Sequence, residues 1–288
     1  MSYVKNVYIQ PFSLKLIKPL NLRRRVLNSS DSMIYEGQFI RISEGYGELI
    51  KSQRLAEELA GLHLSIIENH FRFEPIHEQI PLAGMIESVD ISEAQYLVSQ
   101  GFKTLKFKVG KDWALEAENL QEVRYQIGPE IDIRLDANRA FNLEDAVLFG
   151  KRIENLRIAY FEEPLQNILE IPEFVQATRI PVALDESLLE ENIPELEGIS
   201  TYALKPFLMP DLQSIFACIE LAQKREIDIA ICSAFESPYS LNWLVLLAAM
   251  IPGKLLPAGL STYRWFEGEP LRATFSAREA YAMLQRKS

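Results

Sequence analysis

Residues 104–110 read TLKFKVG, and the alternation within them decides the fold. In an extended strand residues two apart share a face, so Thr104, Lys106 and Lys108 point one way and Leu105, Phe107 and Val109 the other. Alone, such a pair of lysines is an ordinary solvated feature. Four later segments repeat the design: RLDAN (134–138), YFEEP (160–164), ALDES (183–187) and ALKP (203–206). Each carries a charged residue at the end of a short apolar or aromatic run: Asp136, Glu162, Asp185 and Lys205. From Lys108 onward the intervals are 28, 26, 23 and 20 residues, about one strand plus one helix.

Working outward, LAGMIES, TLKFKV, DIRLDA, IAYFEE, VALDE, TYALKP, DIAICS and a last run near KLLPAG read as eight strands. Between several of them lie amphipathic helical stretches, among them ISEAQYLVSQG, ALEAENLQEVRYQIG, LEDAVLFGKRIENL and DLQSIFACIELAQKRE. The alternation predicts an α/β protein with a TIM-like parallel barrel over residues 81–261. A flavodoxin-like open sheet is the competing architecture, but it would spread the charged strand ends along a line. Residues 1–80 read as a small α+β unit. VYIQPFSLKL and MIYEGQFIRIS are its strands, and residues 51–70 its helix, with Leu55, Leu59, Leu62 and Ile66 on one face. The tail, 262–288, is expected to pack with this unit. Leu241–Ile251 is too short to span a bilayer and predicts a buried helix.

Strand parity turns the apolar residues toward the helices and the charges toward the barrel interior, at the C-terminal mouth where barrel enzymes place their chemistry. Three carboxylates converging there repel one another unless a cation lies between them. Oxygen ligands without His or Cys select Mg²⁺, with Mn²⁺ as the alternative. Lys106 and Lys108 are close like charges, which lowers the pKa of at least one toward the range of a general base. His63, His70 and His77 all precede the barrel, which excludes a barrel histidine as base and a Ser-His-Asp site at this mouth; they read as structural or surface residues. The net charge of −10 argues against a nucleic-acid or anionic-membrane surface but not against a small anionic substrate. Cys218 and Cys232 lack metal spacing and read as buried residues of a reducing cytoplasm. The N-terminus has no basic start and apolar core of a signal peptide.

LKFKVG, RLDAN, FEEP, LDES and LKP, in this order, resemble the enolase superfamily, its muconate-lactonizing subgroup, and within it the o-succinylbenzoate synthase family most closely. The further likeness lies in LDANRAF, ALKPFLMPDL and CSAFESPYSLNWL. The resemblance implies a modified (β/α)7β barrel with the N-terminal unit as capping domain. It implies Asp136, Glu162 and Asp185 as Mg²⁺ ligands, Lys108 as base, Lys106 as its pKa-lowering neighbour and Lys205 as the lysine across the site. The implied reaction is syn-dehydration of 2-succinyl-6-hydroxy-2,4-cyclohexadiene-1-carboxylate through an enediolate, in menaquinone biosynthesis. Lys108 would remove the proton α to the ring carboxylate and, once protonated, assist loss of the hydroxyl. Lys205 would face the other side of the ring as a cation against the π system.

Ser233 and Ser237 resemble the segment that holds the succinyl carboxylate, and Asn138 and Arg134 are candidate partners of the metal carboxylates. Arg23, Arg24 and Arg25 fall in the loop that closes over the site in this family. The sequence departs from relatives in two places. Ser261 stands where an Asp often follows Gly-Leu, and the same segment lacks the acidic pair that holds a dipeptide's amino group. The chain is also shorter than many relatives after GYGELI, so a reduced second capping loop, with fewer substrate contacts from residues 45–55, is expected. Two bases on opposite faces also suit an N-succinylamino acid racemase, and a non-catalytic barrel scaffold is the third reading. The expected partner is a small anionic carboxylate.

Overall fold

In the computed structural model, which describes residues 7–16, 34–68, 70–190 and 192–286, the chain opens with an antiparallel sheet. Strand β1 (Val7–Lys15) pairs with β2 (Ile34–Ile42) from Val7 opposite Ile42, and β3 (Gly45–Glu48) flanks β2 on its other side. Helix α1 (Gln53–Ile67) begins at Ser52, whose hydroxyl accepts the Leu55 N–H at 3.2 Å, and buries Leu55, Ala56, Leu59, Ala60 and Ile66. It lies so close to β3 that a side chain at Gly47 would meet the Ala56 carbonyl oxygen at 1.9 Å. Only glycine permits that approach. The strands and helix expected within residues 1–70 are therefore present where described. Arg23, Arg24 and Arg25 lie outside the described residues.

After β4 (Gln79–Pro81) comes the alternating part: β5 (Ala83–Ile86), α2 (Ile91–Ser99), β6 (Thr104–Lys108), α3 (Trp113–Ile127), β7 (Asp132–Asp136), α4 (Leu143–Arg152), β8 (Ile158–Glu162) and α5 (Ile171–Thr178). It continues with β9 (Val182–Leu184), β10 (Ile199–Leu204), α6 (Leu212–Lys224), β11 (Asp228–Ile231) and α7 (Pro238–Met250), then β12 (Thr274–Ser276) and α8 (Ala277–Leu284). Strands β5 to β11 form one parallel curled sheet in sequence order, with successive strands paired. Asp90, Asp112, Asn142 and Asp211 cap α2, α3, α4 and α6 by accepting the N–H three residues on.

An eighth strand at 254–259 is not formed. Ala258 and Gly259 instead make single bridges, Ala258 to Leu82 beside β5 and Gly259 to Cys232 beyond β11, so both edges of the sheet meet this dipeptide. Four backbone hydrogen bonds hold it: Ala258 N–H to Pro81 O, Ala83 N–H to Ala258 O, Gly259 N–H to Ile231 O and Ser233 N–H to Gly259 O. Pro257 has no N–H to extend the ladder.

The parity reading holds in the core. Leu105, Phe107, Ile133, Leu135, Phe161, Val182, Leu184 and Leu204 are wholly buried in the hydrophobic core. Phe161 packs edge-on against Phe141 and Phe174, with centroids at 5.8 and 6.0 Å. α7 is buried along most of its length, as the run at 241–251 predicts, and no helix of the described residues is long and apolar enough to cross a membrane. The tail returns to the start of the barrel, where β12 pairs antiparallel with β4. Buried His63 accepts the Tyr46 N–H on Nδ1 at 2.9 Å and donates from Nε2 to Leu284 O at 2.8 Å, tying α8 to α1 and β3. His77 bonds Ile251 O, and His70 is exposed beside Glu68. Both cysteines are buried and unpaired.

Candidate active site

The parallel register sets Lys108, Asp136 and Glu162 side by side across β6, β7 and β8, while Asp185 and Lys205 follow directly after β9 and β10. Lys106, one step lower, bridges two acids, with its Nζ at 2.9 Å from Asp136 and 2.6 Å from Glu162. Lys108 Nζ lies 2.5 Å from the same Asp136 oxygen and donates to Asn138 Oδ1 at 2.6 Å. Lys205 pairs with Asp185. Lys106, Lys108, Asp136, Asp185 and Lys205 border one cavity of about 590 Å³. All six strand-end residues singled out from the sequence are thus brought together, with Glu162 buried beneath the cavity.

The charges are unevenly compensated. Burial opposes ionisation of Asp136, yet Lys106, Lys108 and Lys205 overcome it and hold this carboxyl well below the usual range. For Glu162 burial prevails, and with Asp136 and Asp185 adding repulsion the group is pushed up to about 8 despite Lys106. Asp185 is also raised by burial, with Lys205 opposing. Burial would depress the Lys106 ammonium, but Asp136 and Glu162 outweigh it and keep it well above the ordinary lysine value. The expectation that the close lysines depress one of the pair is therefore not met at Lys106, because adjacent carboxylates act more strongly than Lys108. Lys205 is raised in the same way, Asp185 and Glu162 overcoming burial.

Among the described residues no three His, Cys, Asp or Glu side chains form a ready metal-ligand cluster, since lysines engage the acids instead. The donor set nevertheless fits a hard divalent cation. It is made of carboxylates alone, and the buried Glu162 Oε2 and Glu186 Oε2 have no hydrogen-bond partner.

Around this array several residues act on backbone geometry. Asn138, at φ 46°, donates its N–H to Asp136 Oδ1 and its Nδ2 to Glu186 Oε1 and accepts from Lys108 on Oδ1, so it touches both the candidate base and the acid beside it. Glu163 is a functional neighbour that strand parity did not single out. Its carboxylate accepts the N–H groups of Asp185 and Ser187 at 2.9 and 2.8 Å and is clamped by Arg139, which fixes the turn carrying Asp185. The doubled acid in FEEP was the available signal. Arg134 sits lower, buried inside the sheet's curve. Its guanidinium donates to Pro257 O at 2.7 Å and lies 4.8 Å from the Tyr160 ring centroid, not along the cavity wall. Ser261 accepts the Met85 N–H at 3.0 Å.

The far wall of the cavity is the loop 233–237. Ser233 borders the cavity, but its hydroxyl donates to Glu236 at 2.6 Å and accepts from Thr262 and from the Phe235 N–H. Ser237 does not line it. Its hydroxyl donates to Glu48 at 2.6 Å, and its N–H is held by the same carboxylate at 3.0 Å. Glu48 and Glu236 were not anticipated, because nothing local marks Glu48 as the partner of a residue 189 positions away.

A family model described as enolase C-terminal domain-like matches residues 90–287. Among curated proteins, the chain is 30% identical over 205 residues to the chloroplastic protein PHYLLO of Arabidopsis thaliana. That match covers 63% of this chain and 12% of PHYLLO. It is 28% identical to the o-succinylbenzoate synthase of Thermobifida fusca, over 66% of this chain and 62% of that protein. It is 32% identical to that of Yersinia pseudotuberculosis, over 60% and 54%. The matches thus span from about an eighth to about three fifths of these relatives' own lengths. Among solved structures, the L-Ala-D/L-Glu epimerase of Bacillus subtilis superposes with TM-score 0.76 at 17% identity, covering 94% of this chain and 95% of that one. The dipeptide epimerase of Cytophaga hutchinsonii, complexed with Mg and D-Ala-L-Val, superposes with TM-score 0.75 at 19% identity, covering 92% and 88%. At these identities the structural likeness speaks for the fold alone. The family match and the shared fold agree with the strand-end array: the chain belongs to the enolase superfamily, through its enolase C-terminal domain-like family.

Proposed function

We propose that this chain is an o-succinylbenzoate synthase, a lyase that dehydrates 2-succinyl-6-hydroxy-2,4-cyclohexadiene-1-carboxylate with Mg²⁺. The observation that carries the reading is the arrangement of Lys106 and Lys108 against Lys205 around one cavity bordered by Asp136 and Asp185, with buried Glu162 paired to Lys106. Those three acids are the proposed Mg²⁺ ligands, with Mn²⁺ as substitute. When bound, the cation would neutralise charge developing on the substrate carboxylate. Lys108, in its unprotonated form, takes the proton α to that carboxylate and then returns it to the departing hydroxyl on the same face. Asn138 orients Lys108 by accepting its N–H. Lys205 offers a fixed positive charge from the opposite side, and Lys106 balances Asp136 and Glu162 beneath.

The reading includes residues 81–261 as a modified (β/α)7β barrel in which the single bridges of Ala258 and Gly259 stand in for an eighth strand, capped by residues 1–80, in a cytoplasmic enzyme of menaquinone biosynthesis whose partner is the small anionic substrate. Supporting it are the curated synthases at 28% and 32% identity. A second reading, racemisation of N-succinylamino acids, is favoured by the cavity having a lysine on each side. The test measures ultraviolet appearance of the aromatic product from the cyclohexadiene alongside loss of optical rotation from an N-succinylamino acid. Fast dehydration is expected. Racemisation without dehydration would transfer the assignment to the racemase.

A further inference from the structure

The loop 233–237 presents an unusual surface to the cavity. Four of its hydrogen-bond donors are taken by two of the protein's own buried glutamates. Glu236 accepts the Ser233 hydroxyl at 2.6 Å and the Ala234 N–H at 2.8 Å. Glu48, on β3, accepts the Ser237 hydroxyl at 2.6 Å, the Ser237 N–H at 3.0 Å and the Tyr35 hydroxyl at 2.8 Å. The Phe235 N–H goes to Ser233 Oγ at 2.9 Å. A substrate carboxylate arriving at this loop would have to displace these acids from partners they already hold in a buried setting.

What the loop does offer is apolar. Ala234 and Phe235 border the cavity, and Phe235 is held at φ 68°, a left-handed conformation that a bulky side chain adopts only under constraint. The constraint is visible on both sides: Glu236 and Ser233 close a tight turn below it, and Glu48 anchors Ser237 just after it. The Phe235 ring rests edge-on against Trp265 at 5.8 Å, in a cluster with Tyr35 and Leu16. Tyr35 therefore joins the same assembly twice, by its ring and by its hydroxyl.

We propose that Glu48 and Glu236 are positioning residues that hold Phe235 and Ala234 as an apolar wall against the methylenes of the substrate's acyl arm. The N-terminal sheet thereby sets selectivity for the arm through Glu48, with no contact of its own to the reacting atoms. The inference rests on the reading that this cavity takes an arylcarboxylate with an acyl arm.

The experiment titrates the full chain, with Mg²⁺ present, against o-succinylbenzoate and 2-acetylbenzoate. The two share the ring carboxylate and the ortho ketone and differ in the arm, which in o-succinylbenzoate is two carbons longer and ends in a second carboxylate. Glu48→Gln and Glu236→Gln should each weaken o-succinylbenzoate about tenfold and 2-acetylbenzoate less than about twofold, the tenfold matching loss of one charge-assisted hydrogen bond. In turnover the same variants should raise KM while kcat stays within about threefold of wild type. Where a Gln variant does not fold, Ser237→Ala and Ser233→Ala, which remove the donors instead of the acids, should show the same selective loss. Equal weakening of both ligands, or no weakening, overturns the proposal. A wild-type chain that binds neither compound overturns the reading of the cavity and this proposal with it. Wild-type binding of both with unselective variants overturns the proposal alone.

Discussion

Asp136, Glu162 and Asp185 are countered by the ammonium groups of Lys106, Lys108 and Lys205, whereas Glu48 and Glu236 are held by hydroxyl and backbone N–H groups. Both sets are buried at the same mouth. In the first, one lysine serves two acids and Glu162 Oε2 has no partner, so its charge is incompletely matched and its contacts can be exchanged for a substrate or a cation. In the second, short bonds from neutral donors leave little to exchange. Buried acids of the first kind suit chemistry, and those of the second kind hold a shape.

The largest test of the distinction is metal removal. Stripping divalent ions with EDTA should abolish turnover, and Mg²⁺ or Mn²⁺ should restore it. Activity indifferent to EDTA would mean that the lysines alone balance the three acids. Next in size, Lys108→Ala should lower the dehydration rate at least about 10²-fold, as loss of a general base does. Single-turnover measurement checks this, and near-wild-type turnover would remove Lys108 as base.

The second set makes its own prediction, in stability. Burial pushes Glu236 up to about 7 from its ordinary 4.5. The folded chain therefore binds this proton more tightly than the unfolded one. That contribution is fully present below pH 4.5 and lost as pH rises to 7, by roughly 1–3 kcal/mol. Urea unfolding at about pH 5 and about pH 8 should show a smaller drop for Glu236→Gln than for wild type, and equal drops would contradict it. Smallest is Ser261→Ala. Orphaning the Met85 N–H should cost about 1–2 kcal/mol in urea unfolding, with turnover little changed.

Much of the reactive array was legible without coordinates. Alternation is local, so TLKFK and RLD disclose which residues share a face, and the regular interval of strand ends implies that those faces converge. The buried, apolar α7 was legible for the same reason. Other features were not. The closing pair Ala258–Gly259 follows a proline and makes only single bridges, too little for a pattern. Arg134 has the same parity as Asp136, but two residues of depth place it against Tyr160 and Pro257 instead of at the mouth. Ser233 and Ser237 were recognisable as a loop near the site, while the partners of their hydroxyls were not.

By itself, then, the amino-acid order determined which side chains share each strand face and how often a charged strand end recurs, because period and spacing are properties of neighbours along the chain. Only the tertiary structure decided how the charges are paired: that Lys106 bridges Asp136 and Glu162, and that Glu48 reaches across to Ser237. Pairing depends on distance and burial between groups far apart in sequence. The same glutamate that would be a solvated surface residue on an isolated strand becomes a fixed joint once α1, β2 and the loop 233–237 exclude water around it.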